Sequence, residues 1–329
     1  MRLAGSFASL EYSFHVSSAD VVGPLNLEET VLSAQTSEPE WLRLDALFTD
    51  VEDFDGTPVK CTLSQMGNVD QFALNVRVLS ATPNTQIVDK LRLHLIWVLG
   101  LKDNLPLFYQ TFADQEEPLS STFSQLRGLR LMRGSNLYES LICSILSQNN
   151  SARLWNRTAR LLMMYYGPRV EFPDRTVSFL FPKTEVLAKV TPHELRLKTF
   201  MGYRAKPVVE VSRLIARGQL RLDELAECSY EEAVEILLDL PGVGPKVADC
   251  FLLYGVGKLE AAPVDVWIHR IVSKLYFRRK KVSRLKTARF LRVRFEEWAG
   301  YAQLYLFDYA RRTGFLRAAG DGSSRSTQR

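Results

Sequence analysis

The stretch Leu240-Pro241-Gly242-Val243-Gly244-Pro245-Lys246 joins two apolar segments that both repeat at helical spacing. Upstream, residues 230–239 place apolar side chains three and four residues apart. Downstream, Val247-Ala248-Asp249-Cys250-Phe251-Leu252-Leu253 reads as a buried helix opened by Pro245. Glycines at 242 and 244 permit torsions that other residues avoid and let a partner backbone come close. N–H groups of the turn and of the incoming helix end then point outward together, so the turn predicts a grip on a phosphate. Lys246 falls in the first turn of that helix, where the positive end of the dipole disfavours an ammonium, and a neutral amine is a nucleophile.

A second feature lies just downstream. In Ala262-Pro263-Val264-Asp265-Val266, Pro263 ends one segment and Asp265 opens the next helix. An aspartate there ordinarily caps the helix, and a lysine in a helix-opening turn ordinarily contacts phosphate or solvent. On the two helices that flank one turn, however, the two residues supply a paired amine and carboxylate.

Composition sets the frame. The chain has 329 residues, 46% hydrophobic and 24% charged, which fits two or three packed lobes and excludes a fibrous or disordered chain. A net charge of +5 and a pI near 9.0 lean toward a polyanionic partner. The excess is concentrated: residues 269–294 carry Arg270, Lys274, Arg278, Arg279, Lys280, Lys281, Arg284, Lys286, Arg289, Arg292 and Arg294 and no acid. No uncharged apolar run is long enough to span a membrane, and the opening residues lack a secretion signal, so an intracellular, soluble protein is expected. Cys61, Cys143, Cys228 and Cys250 are scattered with no Cys-x-x-Cys pair, as are the four histidines, so neither a metal, a cluster, a cofactor nor a disulfide framework is expected.

The first eighty residues alternate strand-like runs such as 72–79 with turn clusters such as Asp55-Gly56-Thr57-Pro58. Helical periodicity takes over from Thr85, with segments near 87–97, 137–148, 152–166, 192–200, 205–217, 230–239, 245–255, 265–275 and 285–312. The fold class is therefore α+β: a small antiparallel sheet domain over 1–118, a mostly helical domain over 119–312, and a polar tail over 313–329 expected to be disordered.

The wording of these segments is specific. Residues 240–250 and 262–266 resemble the signature of the helix-hairpin-helix DNA glycosylase superfamily, and Lys-Val-Ala-Asp-Cys with Pro-Val-Asp-Val is most similar to its 8-oxoguanine DNA glycosylase/AP lyase branch. Further matches over 139–153, 201–205, 229–233 and 298–307 extend the resemblance across most of the chain. It implies a monomeric, DNA-associated protein of nucleoid, cytoplasm or nucleus with double-stranded DNA as partner, Gly242, Val243 and Gly244 on the phosphate backbone and the damaged nucleotide flipped into a pocket. Lys246 is then the nucleophile at C1′ and Asp265 the carboxylate that stabilises charge on the sugar. Phe307 stacks on the flipped purine, Gln303 reads its Watson–Crick edge, Cys250 packs on the opposite face, and Ala34 presents a backbone carbonyl to the lesion. Gln148, Asn149, Arg153 and Arg204 fill the vacated stack and read an orphaned cytosine, while Tyr203 wedges between bases.

The chain departs from that pattern at three places. Trp267 stands where the branch commonly has a histidine, Ala310 where it has an aspartate, and Ala34 where it has a glycine. Ala34 and Trp267 favour, as the alternative, a broader alkyl-purine or hypoxanthine glycosylase. Lys246, Cys250 and Gln303 oppose it. An alternative of another class, a hairpin that anchors the protein on DNA without catalysis, has no use for Lys246 and Asp265.

Overall fold

The computed structural model describes residues 10–33, 35, 41–80, 86–113, 119–278 and 281–314. Ala34, Arg279, Lys280 and the tail beyond 314 therefore lie outside the described residues.

The N-terminal unit is a five-stranded antiparallel sheet of β1 (Leu10–Ser17), β2 (Leu42–Leu44), β3 (Leu47–Phe54), β4 (Thr57–Gly67) and β5 (Phe72–Ser80), in the order β1-β5-β4-β3-β2. Alternation decides which face is covered. Phe72, Leu74, Val76 and Val78 of β5 and Val59, Cys61 and Leu63 of β4 turn to one side and are buried there. Helix Gln86–Val98 closes that side with Ile87, Leu91, Leu95 and Val98, one residue per turn along one stripe. Asp55 and Gly56, both at positive φ, make the tight turn between β3 and β4 that the sequence announced.

In the helical unit, helix Leu137–Leu146 is buried on nearly all sides, and its N-terminus is capped by Asn136, which accepts from the N–H groups of Tyr138 and Glu139. Around it stand helices Ala152–Tyr166, Ala205–Ala216, Tyr230–Leu238, Pro245–Cys250, Val266–Leu275, Arg284–Phe295 and Ala299–Arg312. The helix that starts at Pro245 widens into π-type turns over Phe251–Val256 and ends at Gly257, whose N–H returns to Leu252 O. Helix Leu105–Phe112 belongs to this second core: the Phe108 ring lies 5.6 Å from those of Trp298 and Tyr301 and 5.3 Å from that of Tyr305. One expectation is corrected. The periodic run 285–312 is two helices, because Glu296 takes a positive φ and a short turn, Glu296–Trp298, redirects the chain with no proline or glycine to signal it.

The two units meet over buried charge. The Arg130 guanidinium, wholly buried, donates to the carbonyls of Val22, Pro24, Gly100 and Asp103. Arg133 holds both oxygens of Asp103 at 2.7 and 2.9 Å, and Tyr301 donates to the same carboxylate at 2.7 Å. On another part of the seam a cavity of about 600 Å³ is lined by Asp50, Glu52, Glu139 and Arg160. Burial, with the like charge of Asp50, pushes the Glu139 carboxyl up to about 8, and burial pushes Asp50 up to about 6.

Glu139 therefore keeps its proton in the folded protein while the unfolded chain loses it as pH rises from about 4.5 toward 8, so stability falls across that window. Glu139→Gln is expected to raise the melting temperature by an increment that grows between pH 5 and pH 9. A constant increment in thermal melts at the two pH values would contradict this.

Candidate active site

The hairpin is built by local rules. Ser229 accepts from Glu232 N–H while the Glu232 carboxylate accepts from Ser229, a capping box that opens helix Tyr230–Leu238. Tyr230 donates its hydroxyl to buried Asp249 on the following helix and so ties the two arms together. Burial raises the Asp249 carboxyl to about 6. At the turn the two glycines differ. Gly242 sits at φ +74°, and a side chain there would collide with the Pro207 ring, so the fold itself demands glycine. Gly244 has an extended φ of −107° and open space where a Cβ would stand. The torsional reason read from the sequence for both glycines thus holds only for Gly242. Val243 is buried and spends its N–H on Leu240 O at 3.1 Å, so it serves the turn. Among the described residues the Gly244 N–H donates to no protein oxygen.

Behind the turn, the Lys246 Nζ donates to Ser147 Oγ at 2.8 Å, and Ser147 donates in turn to Ser144 O at 2.8 Å. Ser147 escaped the sequence reading, since a serine at a helix end carries no signal of its partner 99 residues away. Asp265 caps helix Val266–Leu275 by accepting from Ile268 N–H at 2.8 Å on Oδ1. The cap engages one carboxylate oxygen, so capping and an electrostatic role toward a ligand are compatible in the same residue. Lys246, Asp265, Gly244, Gln148, Asn149, Trp267, Arg284 and Phe307 all line one open cleft of about 700 Å³. The distant sequence positions of amine and carboxylate thus converge on one cleft beside the hairpin.

Cys250 and Gln303 are buried and do not form the cleft wall, whereas Phe307, one turn past Gln303 on helix Ala299–Arg312, does. Gln303 Oε1 is enclosed and, among the described residues, has no hydrogen-bond partner. An unpaired buried amide oxygen costs about 1–3 kcal/mol and is what a donor on a bound ligand would satisfy. Ala310 is buried, and neighbouring Asp308, fully enclosed, instead pairs with Arg311 and Arg312; Arg312 also reaches Glu29, and Arg311 donates to Leu32 O at 3.4 Å. Trp267, 51% exposed, stands at the cleft with Arg270 over its ring. Ala34 is not among the described residues, but both neighbours are pinned: Ser33 donates to Thr30 O at 2.7 Å, and Gln35 donates to Arg130 O at 2.9 Å and accepts from Met132 N–H at 2.7 Å.

On the other rim the residues read as DNA-facing form one cluster. Gln148 follows the end of helix Leu137–Leu146 rather than extending it, and donates to Gly242 O at 3.2 Å. Asn149 takes a positive φ of 47° and donates to the Tyr203 hydroxyl at 3.2 Å. The Arg204 guanidinium donates to the carbonyls of Gln148 and Asn149 and stacks 4.7 Å over the Tyr203 ring. Arg204 thus holds the turn that displays Asn149, while Arg153 stands exposed in the first turn of helix Ala152–Tyr166. Away from the cleft, Asp50, Glu52 and His94 bring possible metal-ligating atoms within 4.8 Å of one another. Burial holds His94 down at about 4.

Comparison with known proteins gives the family. The family model described as HhH-GPD superfamily base excision DNA repair protein matches residues 142–297. A probable N-glycosylase/DNA lyase of Methanothermobacter thermautotrophicus is 34% identical over 90% of this chain and 96% of its own length. This chain belongs to the helix-hairpin-helix family of base excision DNA glycosylases. The solved structure of MBOgg1 in complex with a low-affinity DNA ligand superposes on the glycosylase with a TM-score of 0.77 at 27% identity, over 92% of this chain and 96% of that one. An 8-oxoguanine glycosylase/lyase of Clostridium acetobutylicum, solved with double-stranded DNA containing cytosine opposite 8-oxoG, shares the fold with a TM-score of 0.75 at 23% identity over 93% of this chain and 98% of its own. Among the described residues of the glycosylase, no helix is long and apolar enough to cross a membrane.

The two hairpin glycines are expected to separate in measurement. Gly242→Ala should cost the glycosylase about 1–3 kcal/mol in denaturant titration, through torsion and collision with Pro207. Gly244→Ala should stay within about 0.5 kcal/mol of wild type in stability yet bind duplex DNA several-fold more weakly. Equal loss of stability in both variants would refute the distinction.

Proposed function

We propose that this glycosylase excises 8-oxoguanine, paired with cytosine, from double-stranded DNA and then cleaves the strand through a lysine Schiff base. The observation that carries this reading is the convergence of Lys246 and Asp265 on one cleft flanked by the open Gly244 turn. The Gly244 and helix-end N–H groups grip a phosphate next to the flipped nucleotide, and the basic Arg284–Phe295 region draws in the duplex. The base enters beside Phe307 and meets the unpaired Gln303 Oε1, with Cys250 behind the catalytic turn. Asn149, Gln148, Arg153, Arg204 and Tyr203 face the gap and the partner base.

Chemistry follows from the residue types. Ser147 holds the Lys246 amine by accepting one of its N–H bonds, which fixes the direction of approach. As the C1′–N bond to the base breaks, positive charge on the sugar is countered by the Asp265 carboxylate, and the amine forms the new C1′ bond. Opening of the sugar ring gives the Schiff base; loss of a C2′ proton then expels the 3′ phosphate by β-elimination. No step calls on a cofactor, and one chain supplies every group, so a monomer suffices.

A broader lesion range is the second reading, favoured by Trp267 and Ala310, which replace a polar pair with an aromatic at the cleft and a methyl in the core. Borohydride trapping on an 8-oxoguanine:cytosine duplex is expected to yield a covalent adduct with wild type and none with Lys246→Gln. A Lys246→Gln variant that traps as well as wild type would refute the Schiff base. Asp265→Asn is expected to slow base release about 10²–10³-fold, within the range for losing one electrostatic stabiliser, while duplex affinity is retained. The asparagine keeps the helix cap, so folding is spared. Single-turnover base release from 8-oxoguanine, hypoxanthine and 3-methyladenine duplexes decides between the two lesion ranges.

A further inference from the structure

Helix Pro192–Thr199 ends at Phe200, whose N–H returns to Arg196 O while the residue sits at φ +57°, ψ +21°. This left-handed position at a helix C-terminus is one that glycine favours, because a Cβ there is pressed against the backbone. Burial does not compensate. Phe200 is 71% exposed, the most exposed aromatic side chain among the described residues. A strained torsion that presents an apolar ring to water disfavours the free protein twice, and such positions are retained where a partner takes the ring up.

The surroundings say which partner. Three residues on, Tyr203 is 52% exposed and linked to Asn149, itself left-handed at φ 47°, so two non-glycine residues in adjoining loops hold left-handed torsions on one rim. The Arg157 guanidinium lies 5.8 Å over the Phe200 ring, one helical turn past exposed Arg153 on the same helix. An exposed aromatic ring with a guanidinium over it and a further exposed arginine one turn away suits a base stack bordered by phosphates, whereas an apolar protein surface would bury those charges without partners.

We propose that Phe200 is a second apolar wedge, stacking on a base adjacent to the flipped nucleotide so that Tyr203 and Phe200 together hold the opened duplex. This rests on the base-flipping reading above. Phe200 touches neither the Lys246 amine nor the cleft wall, so its effect falls on duplex opening rather than on bond cleavage.

The test compares Phe200→Gly and Phe200→Trp with wild type on a duplex carrying 8-oxoguanine opposite cytosine and 2-aminopurine beside that cytosine, and on the same duplex with a preformed abasic site. Phe200→Gly is expected to melt at a higher temperature than wild type, since the torsional strain is released, and yet to release the base about tenfold more slowly in single turnover, the scale of one lost base–aromatic stack. It should also lose the rise in 2-aminopurine emission on binding. Cleavage of the abasic duplex, which has no base pair to open, should fall much less. Phe200→Trp should retain both emission and rate. Excision by Phe200→Gly within twofold of wild type, or a Phe200→Trp variant as slow as Phe200→Gly, overturns the wedge. If wild type leaves 8-oxoguanine in place but the abasic duplex still gives an emission rise that Phe200→Gly lacks, the substrate reading fails and the wedge stands.

Discussion

The buried guanidinium of Arg130 is the contact from which the arrangement of the two units follows. An arginine out of water is tolerable only with its donors filled, and here carbonyls from 22, 24, 100 and 103 fill them. Those carbonyls come from the loop before Leu27 and from the loop after helix Gln86–Val98, so one side chain fixes both to the strand-like segment 129–133. The same segment holds Gln35 through Arg130 O and Met132 N–H, and Arg133 holds Asp103, to which Tyr301 donates. Tyr301 opens the helix that carries Gln303 and Phe307. The helix that brings Phe307 to the cleft is thus held by polar bonds at the seam as well as by apolar packing, and Asp308 adds a second tie by clamping Arg311 and Arg312, which reach Leu32 and Glu29.

Much of this was legible in the sequence where one local rule governed. The hairpin could be read because its glycines, Pro245 and flanking periodicity all fall within residues 230–253, and the cap at Asp265 follows from a hydrogen bond to Ile268 N–H three residues on. The alternating strands were legible for the same reason. The pairing of Lys246 with Asp265 was read from their helix-opening positions and then from family resemblance, and the cleft that both line gives it a spatial basis. What stayed hidden were contacts between distant segments: Ser147 beneath the amine, the split of 285–312 at Glu296, and Arg130, which in sequence is one more cation. The differing roles of Gly242 and Gly244 were equally hidden, since only the position of Pro207 tells them apart.

Charge is distributed to match. The arginines of the seam are spent on carbonyls and carboxylates, whereas those of Arg284–Phe295 remain largely exposed and confer the positive field on one side of the cleft. Such an exposed positive field reaches over about a Debye length and is weakened by salt.

The widened turns at Phe251–Val256 bear on how Lys246 and Asp265 are spaced. A π-type turn holds one more residue than an α turn, so it stands as a single inserted residue absorbed inside a helix. It lies between the lysine and the aspartate in the chain. Losing that residue would restore a regular helix while rotating everything beyond it by about 100°, including the approach to Asp265. The spacing between the two catalytic candidates is thus set by an irregularity within the helix as well as by the loop that follows it.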